Sequence, residues 1–236
     1  WRPGETSHHE GTCCYYVPMA FNALICDLDG TLLDTLQDVA ESTNAALTRL
    51  GLPIHEIDAY RRFVGDGRRA MAARSLPEDR RDEATIAKLI PLINEEYTRR
   101  WMNHTRPYNG IPELLDHAAL RGVRLAVLSN KPQDYTESMI SRLLPHWSFE
   151  YVLGESARFP RKPDPSGALH IVEGMGLTPG KCLYIGDSGV DMQTAAAAGF
   201  YGVGVLWGFR DANELLSNGA RALARQPSDI TALLRG

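Results

Sequence analysis

The sequence predicts an α/β protein: a Rossmann-like, three-layer core around a parallel sheet, interrupted by an inserted all-helical domain. Three observations carry this. Short apolar runs alternate with helical patterns through the second half of the chain, which is the signature of βαβ units. The first such run is followed by a helical block, 36–104, with no convincing strand. That block is far longer than the roughly dozen residues a crossover needs. Polar clusters follow the apolar runs, at the strand ends where an open α/β sheet keeps its chemistry.

The elements follow in order. Phe21–Cys26 (FNALIC) is an apolar run of strand length ending at Asp27. Leu36, Val39, Ala40, Ala46, Leu47 and Leu50 recur at helical spacing, and Gly51 with Pro53 stops that helix. Helical patterns continue over His55–Phe63, Arg68–Leu76 and Arg80–His104, with Pro91 expected to kink the last. After Pro107, Glu113–Arg121 is a helix, with Pro112 just inside its start and Gly122 at its end. Val123–Ser129 is a strand, Pro132–Leu144 a helix and Phe149–Leu153 a weaker strand. Pro165–Met175 is a helix, Lys181–Ile185 a strand, Val190–Ala198 a helix ended by Gly199, and Tyr201–Leu206 a strand. Short helices near Asn213–Ser217 and Ser228–Leu234 complete the chain.

Composition narrows the function classes. The 236 residues are 44% hydrophobic and 23% charged, an ordinary globular balance that excludes a disordered chain. A net charge of -4 argues against a duplex nucleic-acid binder, which needs a basic face. No apolar run approaches the roughly 20 residues of a membrane span. Cys13 and Cys14 are adjacent, while Cys26 and Cys182 lie in or beside apolar runs. This is no disulfide framework and no paired zinc spacing, and it points to a reduced, cytoplasmic protein. Residues 1–18 are polar, aromatic and aperiodic, without the layout of a signal peptide, and are expected to lie outside the fold. His8 and His9 there carry no chemistry by themselves, and Met19 directly precedes the first strand pattern.

Four segments place polar residues at strand ends: Asp27 and Asp29; Ser129-Asn130-Lys131; Arg161-Lys162-Pro163-Asp164-Pro165; and Gly186-Asp187-Ser188 with Asp191. Singly each is weak. An Asp-x-Asp-Gly suits a calcium loop, although the remaining ligands of an EF-hand are missing. Ser-Asn suits a helix N-cap, Lys-Pro a surface segment and Gly-Asp a turn. Together they converge several carboxylates, a hydroxyl and an ammonium on one edge. Clustered carboxylates repel unless a cation sits among them, and hard oxygen ligands without His or Cys suit Mg²⁺. A metal with a Lys suits a phosphate, hence phosphoryl transfer, in which a carboxylate can be the nucleophile.

These motifs make the sequence resemble the haloacid dehalogenase superfamily of phosphohydrolases. DLDGTLLDT (Asp27–Thr35) resembles its first motif, Ser129 in LSNK its second, Lys162 in RKPDP its third and GDSGVD (Gly186–Asp191) its fourth. The resemblance covers nearly the whole chain from Met19. It implies that Asp27 is the nucleophile and a metal ligand. It implies that Asp29 is the general acid and base, with its carbonyl on the metal. Ser129 and Lys162, with Asn130 and Thr31, would hold the phosphate. Asp187 would bind Mg²⁺, with Asp191 and Ser188 in support. The domain scheme is then a core of 19–35 and 105–236 and a helical cap of 36–104 that closes over the site.

Within the superfamily, three segments are similar to the phosphoglycolate phosphatases: FVGDGRRA (Phe63–Ala70), RPYNGIPELL (Arg106–Leu115) and VLWGFRDANELLSNGA (Val205–Ala220). Tyr108-Asn109-Gly110 stands where that family has Tyr-Pro-Gly, a departure placed at a hinge. The expected substrate is a small phosphorylated metabolite, handled by a monomer or homodimer. Gly65 and Gly67 let backbone N–H groups approach an anion, and Arg68, with Arg61, Arg62 and Arg69 nearby, supplies positive charge. A β-phosphoglucomutase-like or pyrophosphatase-like enzyme of the same superfamily stays open, as does a non-catalytic phosphate-ligand binder. A phosphonoacetaldehyde hydrolase would need a Schiff-base Lys in the cap, where the only Lys is Lys88.

Overall fold

The computed structural model describes residues 21–234. The expected leader, with Cys13, Cys14 and the two early histidines, lies outside the described residues. Strand β1 (Ala23–Cys26) carries the first motif at its end, and a two-residue strand β2 (Leu33–Asp34) follows. The helical insert begins with α1 (Leu36–Arg49) and continues through α2 (Tyr60–Phe63), α3 (Arg68–Ser75) and α4 (Glu83–Arg100). The chain returns through β3 (Arg106–Pro107). It then alternates through α5 (Ile111–Leu120), β4 (Arg124–Pro132), α6 (Gln133–Leu143), β5 (Phe149–Glu155) and α7 (Ser166–Gly174). Strand β6 (Cys182–Gly186), α8 (Gly189–Ala198), β7 (Tyr201–Val205), α9 (Ala212–Ser217), β8 (Ala222–Ala224) and α10 (Pro227–Leu233) finish the fold.

Six strands form one parallel sheet in the order β5-β4-β1-β6-β7-β8. Alternate residues of β1 and β4 face opposite layers, as a period of two requires. Leu24, Leu125 and Val127 pack with α5, α6 and α10 on one face. Ile25, Ala126 and Leu128 pack with α7 and α8 on the other. This is the three-layer core expected from the sequence. The strand order reverses at β1, so β4 and β6 flank it and the ends of all three strands meet at one crevice.

Three local expectations are corrected. Helix does not begin at His55. A 3₁₀ turn starts at Ile57, because Asn44 grips His55 at both backbone groups, donating to its carbonyl at 2.7 Å and accepting from its N–H at 3.0 Å. The long helix starts at Glu83, where the Asp82 carboxylate caps it by accepting from the Thr85 N–H at 3.0 Å, and it runs unbroken through the exposed Pro91. Strand β8 and the β2–β3 ribbon leave no trace in the sequence pattern, since two or three residues are too short to show a period. In that ribbon Leu33 pairs with Pro107 and Asp34 with Arg106, so both crossings into the insert run side by side. The fully buried Asp38 ties α1 to the return crossing, accepting from the N–H groups of His104 and Thr105 and from the Thr105 hydroxyl. Among the described residues, no helix is long and apolar enough to cross a membrane.

Candidate active site

Asp27 and Asp187 stand just past the ends of β1 and β6, Ser129, Asn130 and Lys131 lie in the last residues of β4, and Lys162 comes from the loop between β5 and α7. Asp27 leaves β1 with its N–H still bonded to the Ile185 carbonyl of β6 at 3.0 Å. Its carboxylate Oδ1 lies 2.6 Å from Lys162 Nζ, and the same ammonium lies 2.7 Å from Asp191 Oδ1. All three side chains are buried. Asp191 is held in turn by the Tyr184 hydroxyl at 3.1 Å and by Ser188, whose hydroxyl donates at 2.5 Å and whose N–H donates at 3.1 Å. The Ser188–Asp191 pair is also the reciprocal cap of α8. Asp191 therefore fixes Lys162 against Asp27 rather than presenting a free oxygen.

Asp187 is gripped differently. The Phe209 N–H donates to Oδ2 at 2.7 Å, and the buried Thr31 hydroxyl donates to Oδ1 at 3.5 Å. Gly30 and Gly208 close around it, and a Cβ on either would lie 2.3 Å from an Asp187 atom. Those two positions must therefore be glycine for the carboxylate to sit where it does.

The electrostatics of this group are unbalanced. Ligand oxygens of Asp27, Asp187 and Asp191 lie within 4.8 Å of one another, against one buried ammonium. Burial pushes Asp27 up to about 7, with Lys162 opposing and Asp191 reinforcing the shift. Burial, then repulsion from Asp191 and Asp27, holds Asp187 well above the usual carboxylate range. Burial works against the charge on Lys162, but Asp191 and Asp27 outweigh it and keep it firmly protonated. A cluster that retains protons for want of positive charge is one that a hard cation would satisfy. With Asp191 committed to Lys162, Tyr184 and Ser188, the carboxylates left for a cation are Asp27 and Asp187.

Asp29 points away from this group. Both its oxygens lie 3.1 Å from Lys131 Nζ, and that ammonium also donates to the Tyr97 hydroxyl of α4 at 2.7 Å and sits 4.6 Å from the centre of its ring. Lys131 thus joins a core carboxylate to the helical insert. The Ser129 hydroxyl accepts from the Lys131 N–H at 3.2 Å. Asn130 has its amide committed elsewhere: it donates to the carbonyls of Lys162 at 3.1 Å and Gly65 at 3.2 Å, and accepts from the Lys162 N–H at 2.8 Å. The side chain thus braces two loops and is not offered to the cavity as a free donor.

A cavity of about 80 Å³ lies between the sheet edge and the insert. Asp27, Asp29, Ser129 and Lys131 line its core side. Gly65, Gly67, Arg68 and Tyr97 line the opposite side. Arg68 donates to Asn94 at 2.9 Å and keeps a face on the cavity. The neighbouring arginines do not: Arg61 donates to the Gly208 carbonyl at 2.7 Å, and Arg69 pairs with Glu83. Sequence reasoning placed Lys131 in its motif but gave it no role. Its partner Tyr97 is distant in sequence and reads there as an ordinary buried helix position.

The haloacid dehalogenase-like hydrolase profile matches residues 24–205. The chain is 34% identical over 193 residues to a phosphoglycolate phosphatase of Mesorhizobium japonicum, a match covering 80% of this chain and 84% of that one. It is 31% identical over 228 residues to a phosphoglycolate phosphatase of Nitrosospira multiformis, covering 93% and 98%. Among solved structures, a predicted phosphoglycolate phosphatase from Haemophilus somnus superposes with a TM-score of 0.84 at 25% identity, covering 91% of this chain and 98% of that one.

Proposed function

The chain belongs to the haloacid dehalogenase-like hydrolases, and from that premise we propose that it hydrolyses 2-phosphoglycolate to glycolate and phosphate through an aspartyl-phosphate. The observation that carries the chemistry is the buried Asp27–Lys162–Asp191 chain beside Asp187, opening on a cavity that also holds Asp29. Asp27 and Asp187, with the Asp29 carbonyl that the family resemblance adds, fit Mg²⁺ in donor type and in charge. When bound, Mg²⁺ would neutralise the phosphoryl oxygens and the carboxylates beside them.

An Asp27 oxygen attacks phosphorus in line, the P–O bond to the leaving group breaks, and Asp29 gives that alkoxide its proton. Asp29 then takes a proton from water, which attacks the same phosphorus. The bond to Asp27 breaks, phosphate leaves and the carboxylate is restored. Lys162 and Ser129 face the phosphoryl group, Lys162 supplying the positive charge. The helical insert acts as the cap that excludes water from the cavity.

For the substrate, a carboxylate on the leaving group calls for positive charge on the far side of the cavity. Among the described residues Arg68 is the cation lining that side, and Lys131, paired with Asp29, is the cation lining the core side opposite. The phosphoglycolate phosphatase relatives support the same reading. Initial rates on 2-phosphoglycolate, pyrophosphate, glucose phosphates and pyridoxal phosphate, with Mg²⁺ and with chelator, test it. Phosphate release fastest from 2-phosphoglycolate and abolished by chelator is expected. Equal rates on neutral-tailed phosphomonoesters, or a preference for pyrophosphate, would overturn the substrate. A Mg²⁺-dependent beryllofluoride adduct at Asp27 separates an enzyme from a mere binder of phosphate.

A further inference from the structure

Four core residues that follow β7, Trp207 to Arg210, each make a distinct connection, and the role of Arg210 is not yet accounted for by the chemistry above. The Trp207 indole N–H donates to the Thr31 carbonyl at 2.9 Å, inside the first motif. Gly208 packs its backbone against Asp187 and offers its carbonyl to Arg61 of the cap. The Phe209 N–H holds Asp187 Oδ2. Arg210 then crosses to the cap. Its guanidinium donates to the Val64 carbonyl at 2.7 Å and to the Arg61 carbonyl, while Nε lies 3.3 Å from Glu214. Its side chain is only 13% exposed.

The bond to Val64 reaches the cap segment Val64–Gly67, of which Val64, Gly65 and Gly67 line the cavity. Its two glycines have φ of +121° and +86°. Two glycines in a row of four give the segment little conformational preference of its own. Its shape therefore depends on outside anchors, and the core supplies them. Arg210 takes the Val64 carbonyl and lies under Gly65, where a Cβ would meet Nη2 at 3.4 Å. Asn130 takes the Gly65 carbonyl. Gly67 rests on Arg161, with 2.5 Å between a built Cβ and Nη1.

We propose that Arg210 is a positioning residue for the reaction: from outside the cavity it fixes the Val64–Gly67 segment in register with the Asp187 edge, and so sets substrate selectivity. This rests on the reading of that segment as the part of the cap that meets the leaving group. The planar guanidinium reaches two carbonyls at once, which an ammonium on a single stem cannot reproduce. Without it, the partly buried carbonyls of Arg61 and Val64 lose their donor and the segment is free to shift.

Arg210→Gln and Arg210→Lys test this. The assay compares the preferred substrate of the phosphomonoester panel with p-nitrophenyl phosphate, whose good leaving group needs little help from the cap. In Arg210→Gln, kcat/KM for the preferred substrate should fall about tenfold, mainly through KM. Turnover of p-nitrophenyl phosphate should change less than about threefold, and Arg210→Lys should recover little of the loss. Amide exchange across residues 61–67 should quicken, while that of β1 and β6 stays as in the wild type. Equal losses on both substrates, or unchanged exchange at 61–67, would overturn the proposal. The exchange measurement needs no substrate, so it decides the matter separately from the phosphoglycolate assignment.

Discussion

The sheet edge and the cap loop face the same cavity and are held by opposite means. At the edge, Asp27 and Asp187 at the ends of β1 and β6, Asp191 in the first turn of α8 and Lys162 in the loop before α7 are buried, each fixed by bonds to other residues of the core. The Val64–Gly67 loop has one charged side chain, Asp66, and that is paired with Arg74. Core side chains hold its shape. On the reading proposed above, chemistry belongs to the sheet edge and selectivity to the element docked onto it. Variants should divide accordingly: those at the edge change whether bonds break, and those at the junction change which substrate is chosen.

The sharpest test of that division is Asp27→Asn. The amide cannot attack phosphorus, yet it keeps the volume and leaves Lys162 paired with Asp191. Phosphate release should fall at least about 10³-fold on every substrate alike. A loss confined to 2-phosphoglycolate would break the comparison. Next is Lys131→Met, which removes the one ammonium shared by Asp29 and Tyr97. Its kcat/KM for 2-phosphoglycolate should drop about 10–100-fold, from the lost cation and an unpaired carboxylate. A neutral-tailed phosphomonoester should lose less, and parallel losses would assign Lys131 to the chemistry alone.

The smallest effect concerns stability. The folded protein keeps protons on Asp27 and Asp187 above the ordinary carboxylate value of 3.8, and on Asp27 up to about 7. Folded protein then binds more protons than unfolded chain across that window, so the chelator-treated protein should lose stability as pH rises from about 4 through about 7. Mg²⁺ needs those carboxylates ionised and should reverse the trend. At 100 times its dissociation constant it would add about 2.7 kcal/mol, or about 5–10 °C in melting temperature for a chain of this size. Thermal melts should show a larger Mg²⁺ effect at pH 8 than at pH 5. An equal gain at both would mean that the cation does not displace those protons.

Which parts were legible in the sequence follows from the same division. FNALIC ending in DLDG announces a buried strand with a carboxylate at its tip, CLYIGDSGVD repeats that form, and VRLAVLSNK puts a hydroxyl and an ammonium at the same place. Order along the chain and the parallel-sheet rule then suffice to bring them to one edge. What a side chain does after arrival is less visible. Asn130, expected at the phosphate, has its amide bracing Gly65 and Lys162. Thr31, expected beside it, turns its hydroxyl to Asp187. Arg210 looks like any surface arginine, because nothing local marks its burial against carbonyls far earlier in the chain. Pairwise docking between distant loops leaves no periodic trace.

The β2–β3 ribbon has a consequence for how such a protein can change. Asp34 and Arg106 are paired neighbours, so to the core the entire insert is a loop whose two ends already touch. The entropy of closing a loop grows only with the logarithm of its length, by about 0.6 kcal/mol per doubling. A lineage could lengthen, shorten or replace everything between those two residues and leave the sheet almost undisturbed, provided the new material still offered Arg210 and Asn130 carbonyls to hold.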